Sequence, residues 1–359
     1  MRRPLVKRLQ EPAPSRPTVN DVARAAGVST ATVSRVLNAS ADVSEALKIK
    51  VTQTMEQMGY VRDATARALA TKRSFLLGLI LPRRMEPFGS SVLAAFENTN
   101  KANGFGTLLV RSSWTRTDIR ESLRHLLENG VEGVFSAGPL EETNIAALIM
   151  GREFTLITLA DGEAVCGTAT DTGPSATAPG AIDLALGATA RRLAANVTAM
   201  GHRRIAIVTE PLVEAPICSG LAHGIGQNIS AAGISAPLII ETDCSIEAGA
   251  HAFAALMEQP EPPTMVFCFS DALAMGMLFE AGRRGLAVPQ DVSIAALTSP
   301  RAARAMTPAL SGIELDPTEI GALAAESLNA RIKARPVAHR LRLPATVTLR
   351  DSLGPPKAE

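Results

Sequence analysis

The sequence predicts a two-part α/β chain: an all-α helix-turn-helix headpiece followed by a two-lobed, doubly wound parallel-sheet core. Three observations carry this. Residues 18–59 show a short helical rhythm broken by Gly27 and Gly59, whereas from Phe75 onward β-rich runs alternate with amphipathic stretches. Residues 1–74 hold 13 Lys/Arg and 6 Asp/Glu, a net +7, and the remainder hold 23 and 29, a net −6. A basic head on an acidic body suggests that the head meets a polyanion. At 359 residues, 46% hydrophobic and 20% charged, the chain has apolar material for more than one core and too much for disorder.

Residues 1–17 carry four prolines and no periodicity, and are read as a flexible tail. Thr18 and Asp21 have the form of a capping box before Val22, Ala23 and Ala26, and Gly27 ends that first helix. Ser29 can cap a second helix from Thr30 to Asn38, with Val33, Val36 and Leu37 on one face. Ser44 can cap a third helix, running to Met58. Two helices joined by a turn containing Gly form a helix-turn-helix, here spanning 18–61, with a linker at 62–74.

The core is placed at 75–350 and a second tail at 351–359. Its strand candidates are 75–81, 106–110, 131–137, 154–159, 205–209, 237–241, 264–269 and 292–297. Helical stretches fall at 118–129, 182–200, 248–258 and 271–284. Strand then helix, repeated, means parallel sheets covered on both faces, and eight strands suit two lobes. Residues 160–180, rich in Gly, Ala, Thr and Pro, are where a lobe-to-lobe crossing is expected.

Several function classes find no support. The densest apolar run, 75–81, is too short to span a bilayer, and the basic start has no apolar stretch behind it for a secretory signal. Cys166, Cys218, Cys244 and Cys268 lie far apart, which fits a reduced, cytoplasmic protein. There is no phosphate-loop string, no paired-His zinc spacing and no serine elbow. No catalytic residue, metal or cofactor is expected.

The second helix presents Thr30, Ala31, Ser34 and Arg35 away from Val33 and Val36. Small side chains permit close approach to base edges, and an Arg can fork onto guanine. The whole string from Thr18-Val19-Asn20-Asp21 through Ser34-Arg35-Val36-Leu37-Asn38, with Gly59-Tyr60 after it, resembles the lactose-repressor (LacI/GalR) family of bacterial transcription regulators. Asp63-Ala64-Thr65-Ala66-Arg67-Ala68-Leu69 sits where that family has its hinge helix. Gly201-His202-Arg203-Arg204, Ser270-Asp271-Ala272-Leu273 and Thr307-Pro308-Ala309-Leu310 match strings in its body.

The resemblance implies a core like periplasmic sugar-binding proteins and a repressor that binds a palindromic double-stranded operator as a dimer or larger assembly. It implies that Thr30, Ala31 and Arg35 read the major groove and that Ser29, Thr32 and Asn38 contact phosphates. Thr18, Ser34, Tyr60, Ala66 and Arg67 complete the DNA-binding set. The hinge is expected to fold only on DNA, with Leu69 wedged into the minor groove. Where the family has Pro-Asn before the hinge, this chain has Arg62-Asp63.

The resemblance also implies a small-molecule effector between the lobes, beyond the strand ends. Phe88, Ser113, Trp114, Leu221, Asp271 and Thr298 are the candidate contacts, with a helix cap as the other reading of Asp271. Leu221 and Thr298 stand where the family commonly has Arg and Asp. Arg111, Arg301 and Arg304 remain near the strand ends, so of a sugar, sugar acid or sugar phosphate, an acidic one (sugar acid or sugar phosphate) is the favoured effector. The alternatives are a plain ligand-binding protein and a two-lobed α/β enzyme without a DNA role.

Overall fold

The computed structural model describes residues 16–37, 42–83, 88–140, 148, 154–161, 180–212 and 215–357. Two compact units meet at the Ser74/Phe75 boundary. The first contains α1 (Val19–Ala26), α2 (Thr30–Leu37), α3 (Glu45–Gln57) and α4 (Ala64–Thr71). Thr18 and Asp21 form the expected capping box, and Gly27 takes the left-handed conformation at φ 65° that ends α1. The Ser29 hydroxyl accepts the Thr32 amide at 3.1 Å to cap α2. Ser44 occupies the N-cap of α3, but its side chain makes no cap bond. Val22, Ala23, Ala26, Val33 and Val51 form the buried centre of this unit.

The second unit holds two six-stranded sheets. Sheet one contains β1 (Leu76–Pro82), β2 (Gly106–Ser112), β3 (Gly133–Ser136), β4 (Thr155–Ala160), β5 (Gly180–Asp183) and β11 (Arg340–Arg342). Their order is β11-β5-β4-β3-β1-β2, parallel throughout. Sheet two contains β6 (Ile205–Thr209), β7 (Leu238–Glu241), β8 (Met265–Cys268), β9 (Ser293–Thr298), β10 (Ser311–Glu314) and β12 (Thr346–Thr348). Its order is β12-β10-β9-β8-β6-β7, with only β12 antiparallel. The helices are α5 (Phe88–Ala102), α6 (Arg116–Glu128), α7 (Leu186–Ala199), α8 (Pro216–Ala231), α9 (Ile246–Met257), α10 (Asp271–Arg283), α11 (Pro300–Ala305) and α12 (Pro317–Ile332).

Each sheet is covered on both faces, as parallel sheets require. One hydrophobic cluster, including Leu77, Phe96, Ile207, Phe267 and Ile313, continues from lobe to lobe. Separate clusters cover the other face of sheet one, around Leu123 and Val134, and of sheet two, around Phe253 and Met277.

The lobe crossing differs from the expected one. Sheet one pairs β4 with β5 on either side of residues 160–180, so the chain leaves this lobe only after Asp183. It returns through α12, which packs on α5 at Gly321, where a Cβ would lie 2.2 Å from the Val92 carbonyl oxygen. It crosses again between β11 and β12. The first and last crossings are bonded side by side, Leu343 N to Asp183 O at 2.9 Å and Ala345 N to Leu184 O at 2.8 Å.

The end of the chain also departs from expectation. Residues 351–357, read as part of a tail, are described against the second lobe, and Ser352 is buried there. The Ser352 hydroxyl donates to Ile294 O at 2.6 Å, and His202 Nε2 meets Gly354 O at 2.8 Å. Burial pushes the His202 imidazole below its ordinary pKa although the Gly354 bond works the other way. No helix among the described residues is long and apolar enough to cross a membrane.

Candidate functional site

In the first unit, Val33 turns α2 inward and is fully buried, so the opposite side carries Thr30, Ala31, Ser34 and Arg35, all exposed. Thr32 is half-buried, and its hydroxyl meets the Ser29 hydroxyl at 2.9 Å. Thr18 is exposed, but its hydroxyl donates to Asp21 at 2.7 Å. The Thr18 bonds hold the Asp21 carboxyl below its usual range. Asn38 lies outside the described residues. Tyr60 is half-buried and packs on the small core, with its amide bonded to Met55 O at 2.9 Å. On α4, Ala66 is exposed, Arg67 half-buried and Leu69 84% exposed.

A leucine so exposed has no packing role within the unit, which suits a side chain that enters a groove. Residues 64–71 of the expected hinge form the helix α4. Asp63 caps it: Oδ1 accepts the Thr65 amide at 2.8 Å and the Ala66 amide at 3.3 Å.

In the second unit, the candidate ligand contacts fall at the carboxyl ends of strands, where doubly wound sheets bind ligands. Trp114 follows β2 in a left-handed conformation, φ 60°. Its indole N–H donates to Pro139 O at 3.1 Å. The ring lies so close to Gly138 that a Cβ there would come within 2.6 Å of it. The preceding turn is held by Asp118, whose Oδ2 accepts the Ser112 hydroxyl at 3.0 Å and the Ser113 hydroxyl at 2.8 Å. Burial works against the Asp118 charge. The bonds from Ser113 and Ser112, with Arg83 at 3.5 Å, nonetheless hold its pKa below the usual carboxylate range. Phe88 opens α5, half-buried against the shared core.

Asp271 and Thr298 come together across the ends of β8 and β9, the Thr298 hydroxyl donating to the Asp271 carboxylate. The cap of α10 is instead the Ser270 hydroxyl, which accepts the Leu273 amide at 3.1 Å. Asp271 is only 8% exposed, and that burial raises its pKa despite the Thr298 and Ser299 bonds.

Leu221 does not belong with these residues. It is fully buried in α8, within the apolar cluster that also holds Ile217 and Ile225. A leucine in place of an arginine has joined the core because nothing polar remains to keep it at a surface.

Sequence reasoning missed Glu210, Cys244 and Asp161. Glu210 follows β6 as Asp271 follows β8. Cys244 lies near both carboxylates: its thiol is pushed up to about 12, chiefly by burial, with Glu210 and Asp271 adding to the rise. Asp161 follows β4 and accepts the Gly187 amide at 2.9 Å at the start of α7. Gly220 of α8 approaches it so closely that a Cβ would lie 2.1 Å from Oδ2. The signal in each case was position alone, a polar residue just beyond a strand end.

The arginines invoked for an acidic ligand are placed differently. Arg111 is half-buried and donates to Pro82 O at 3.1 Å, while Arg301 and Arg304 are exposed on α11.

Residues 18–63 match the family described as bacterial regulatory proteins, lacI family, and residues 194–353 match the periplasmic binding protein-like domain. The ribose operon repressor of Haemophilus influenzae is 29% identical, over 94% of this chain and 98% of its own. The HTH-type transcriptional repressor PurR of Proteus mirabilis is 31% identical, over 88% of this chain and 90% of its own. Among solved structures, the Lac repressor dimer bound to operator and the anti-inducer ONPF superposes with a TM-score of 0.76 at 23% identity, covering 94% of this chain and 99% of that one. With a helix-turn-helix unit whose α2 exposes a polar face, a two-lobed parallel-sheet core and these relatives along most of its length, this protein belongs to the LacI family of bacterial regulatory proteins.

Proposed function

We propose that the protein is a transcriptional repressor that binds a palindromic operator in the cytoplasm as a homodimer, under the control of a small hydroxyl-rich ligand. The observation that carries the DNA half is the exposed quartet Thr30, Ala31, Ser34 and Arg35 on a helix whose other face is locked by Val33. One such helix covers a few base pairs, so specificity calls for two half-sites about a two-fold axis. Ser29, Thr32 and Asn38 contact phosphates, and Leu69 enters the minor groove. The working boundaries are 18–61 for the headpiece, 62–74 for the hinge and 75–357 for the core, the last extended from 350 because Ser352 and Gly354 are bonded into the second lobe.

The ligand half rests on the acceptors at the ends of β6, β8 and β9. Glu210 and Asp271 are carboxylates, and Thr298 already donates its proton to Asp271. Such a wall accepts hydrogen bonds from hydroxyl groups and repels anions. With Arg111 engaged at Pro82 O, a neutral sugar is favoured over a sugar acid or sugar phosphate. Trp114 and Phe88 supply the apolar edge.

Selecting operators from a random duplex library, followed by mobility shifts with and without sugars, tests both halves. Failure to enrich any palindrome would remove the DNA reading. Neutral and acidic sugars titrated against the emission of Trp114, the single tryptophan, decide the ligand class. A response to acidic sugars alone would reverse the charge argument.

A further inference from the structure

Beside the backbone crossings, a carboxylate of lobe one reaches into lobe two. Asp161 follows β4 and is half-buried. Its Oδ1 and Oδ2 accept the Gly187 amide at 2.9 and 3.1 Å. Gly187 is in the first turn of α7, and α7 packs on α8 in lobe two. A Cβ on Gly224 of α8 would lie 2.4 Å from the Gly187 carbonyl oxygen.

α7 supplies no side-chain cap of its own. Its N-cap residue is Ala185, left-handed at φ 50° and without a side-chain bond. The first amides of a helix lack intrahelical acceptors and lie at the positive end of its dipole, so a carboxylate there makes a charge-assisted bond. Capping side chains ordinarily come from the residue before the helix. Here the carboxylate comes from 26 positions earlier and from the other lobe. α8 is shaped to receive it as well. A Cβ on Gly220 would lie 2.1 Å from Asp161 Oδ2, 3.1 Å from its Cγ and 3.7 Å from its Cβ. Only a hydrogen leaves room for the carboxylate.

The position of Asp161 gives these contacts leverage. Sheet one runs β11-β5-β4-β3-β1-β2, and two of the crossings leave it at the β11-β5 edge. Asp161 lies one strand in from β5. Trp114 follows β2 at the opposite edge, three strands further out, or about 14 Å at the usual strand spacing. Because the sheet is parallel, both residues lie beyond the same ends of their strands, on the side where Asp161 meets lobe two. Rotation of the lobes about the crossings would break the short Asp161 bonds and displace the Trp114 edge by more.

We propose that Asp161 is an inter-lobe latch, a positioning residue whose carboxylate, docked between the start of α7 and the bare backbone of Gly220, holds the two lobes in this arrangement. It thereby biases the spacing of the two strand-end walls. The latch depends on neither the ligand class nor the DNA reading above.

Hydrogen exchange with single-residue fragmentation on the full chain tests the bond. The Gly187 amide should be protected in the wild type and exchange about tenfold faster in Asp161→Ala. Asp161→Asn, which keeps a neutral acceptor, should fall between them. Amides of β6 and β8 serve as the control for folding and should not change. Acrylamide quenching of Trp114, the single tryptophan, should rise about twofold in Asp161→Ala as the lobes part. Gly220→Ala should reproduce both changes in the wild type and add nothing in the Asp161→Ala background, where its Cβ meets no carboxylate. Equal Gly187 exchange in wild type and Asp161→Ala overturns the bond. Unchanged Trp114 quenching reduces Asp161 to a helix cap and overturns the latch. Additive effects of the two substitutions overturn the seat on α8.

Discussion

The two units of this chain are stabilised in different ways. The first has five buried aliphatic residues at its centre and relies on side chains that close helix ends: Thr18 with Asp21, Ser29, Asp63 and Arg62. The second has clusters on both faces of two sheets, and two of its ion pairs have buried carboxylates while others stay at the surface. Arg340 grips Asp183 at 2.8 and 3.1 Å, and Arg350 meets Glu314 in the other lobe. Small domains bury too little apolar surface to be robust. The headpiece therefore spends its polar groups on its own helix ends, leaving a helix face free for a partner, whereas the core can bury a carboxylate at a strand end and keep it.

That contrast can be broken by substitution. The largest effect is expected in the core. Leu221→Ala should cost about 2–5 kcal/mol, seen as a lower melting transition of the core while the headpiece signal by circular dichroism is unchanged. If stability holds and sugar binding changes instead, Leu221 faces the ligand and its assignment to the core is wrong. Asp271→Asn should weaken the sugar by about 1.5–3 kcal/mol, read by Trp114 fluorescence, and yet raise stability at neutral pH. The sign follows from burial. A carboxyl whose folded pKa is raised favours the fold while protonated and opposes it as pH rises through that folded value.

In the headpiece, Arg35→Ala should cost about 1–3 kcal/mol on the operator and relax the preference at one base pair per half-site. Equal loss on random DNA would reduce Arg35 to a phosphate contact. Thr18→Ala comes next, with about 0.5–2 kcal/mol of headpiece stability lost through the cap, measurable by urea titration. The smallest effect is acid lability around Trp114. Asp118 has a lowered pKa, so its contribution is present above the unfolded value and disappears as pH falls through the folded one. Trp114 emission should shift in that acid range in the wild type and lose the transition in Asp118→Asn.

Much of this was legible from local pattern. The capping box at Thr18, the stop at Gly27 and the outward quartet of α2 are short-range features, set by residues within one or two turns of each other. The longer strands of both sheets announced themselves as β-rich stretches of five or more residues. Of the short strands, β3, β7 and β8 fell within predicted runs, but four others did not. Gly180–Asp183, Ser311–Glu314, Arg340–Arg342 and Thr346–Thr348 have three or four residues each, too few to show a period, and β11 and β12 exist only because a neighbour supplies their ladder.

The site divides along the same line. Which residues follow a strand end is written in the chain, and Asp271, Thr298 and Trp114 were found that way. Leu221, which the family pattern placed against a ligand, instead joins the core because of how α8 packs against its neighbours. That Arg62 reaches the end of α2 across 25 positions of sequence is likewise a product of folding. Sequence determined the elements whose causes are local: caps, turns, apolar periods and the charge of the headpiece. Tertiary structure alone decided where the lobes cross, which strand-end carboxylates are buried and which arginine is tied to a distant carbonyl, because burial and long-range hydrogen bonds depend on neighbours that no local pattern specifies.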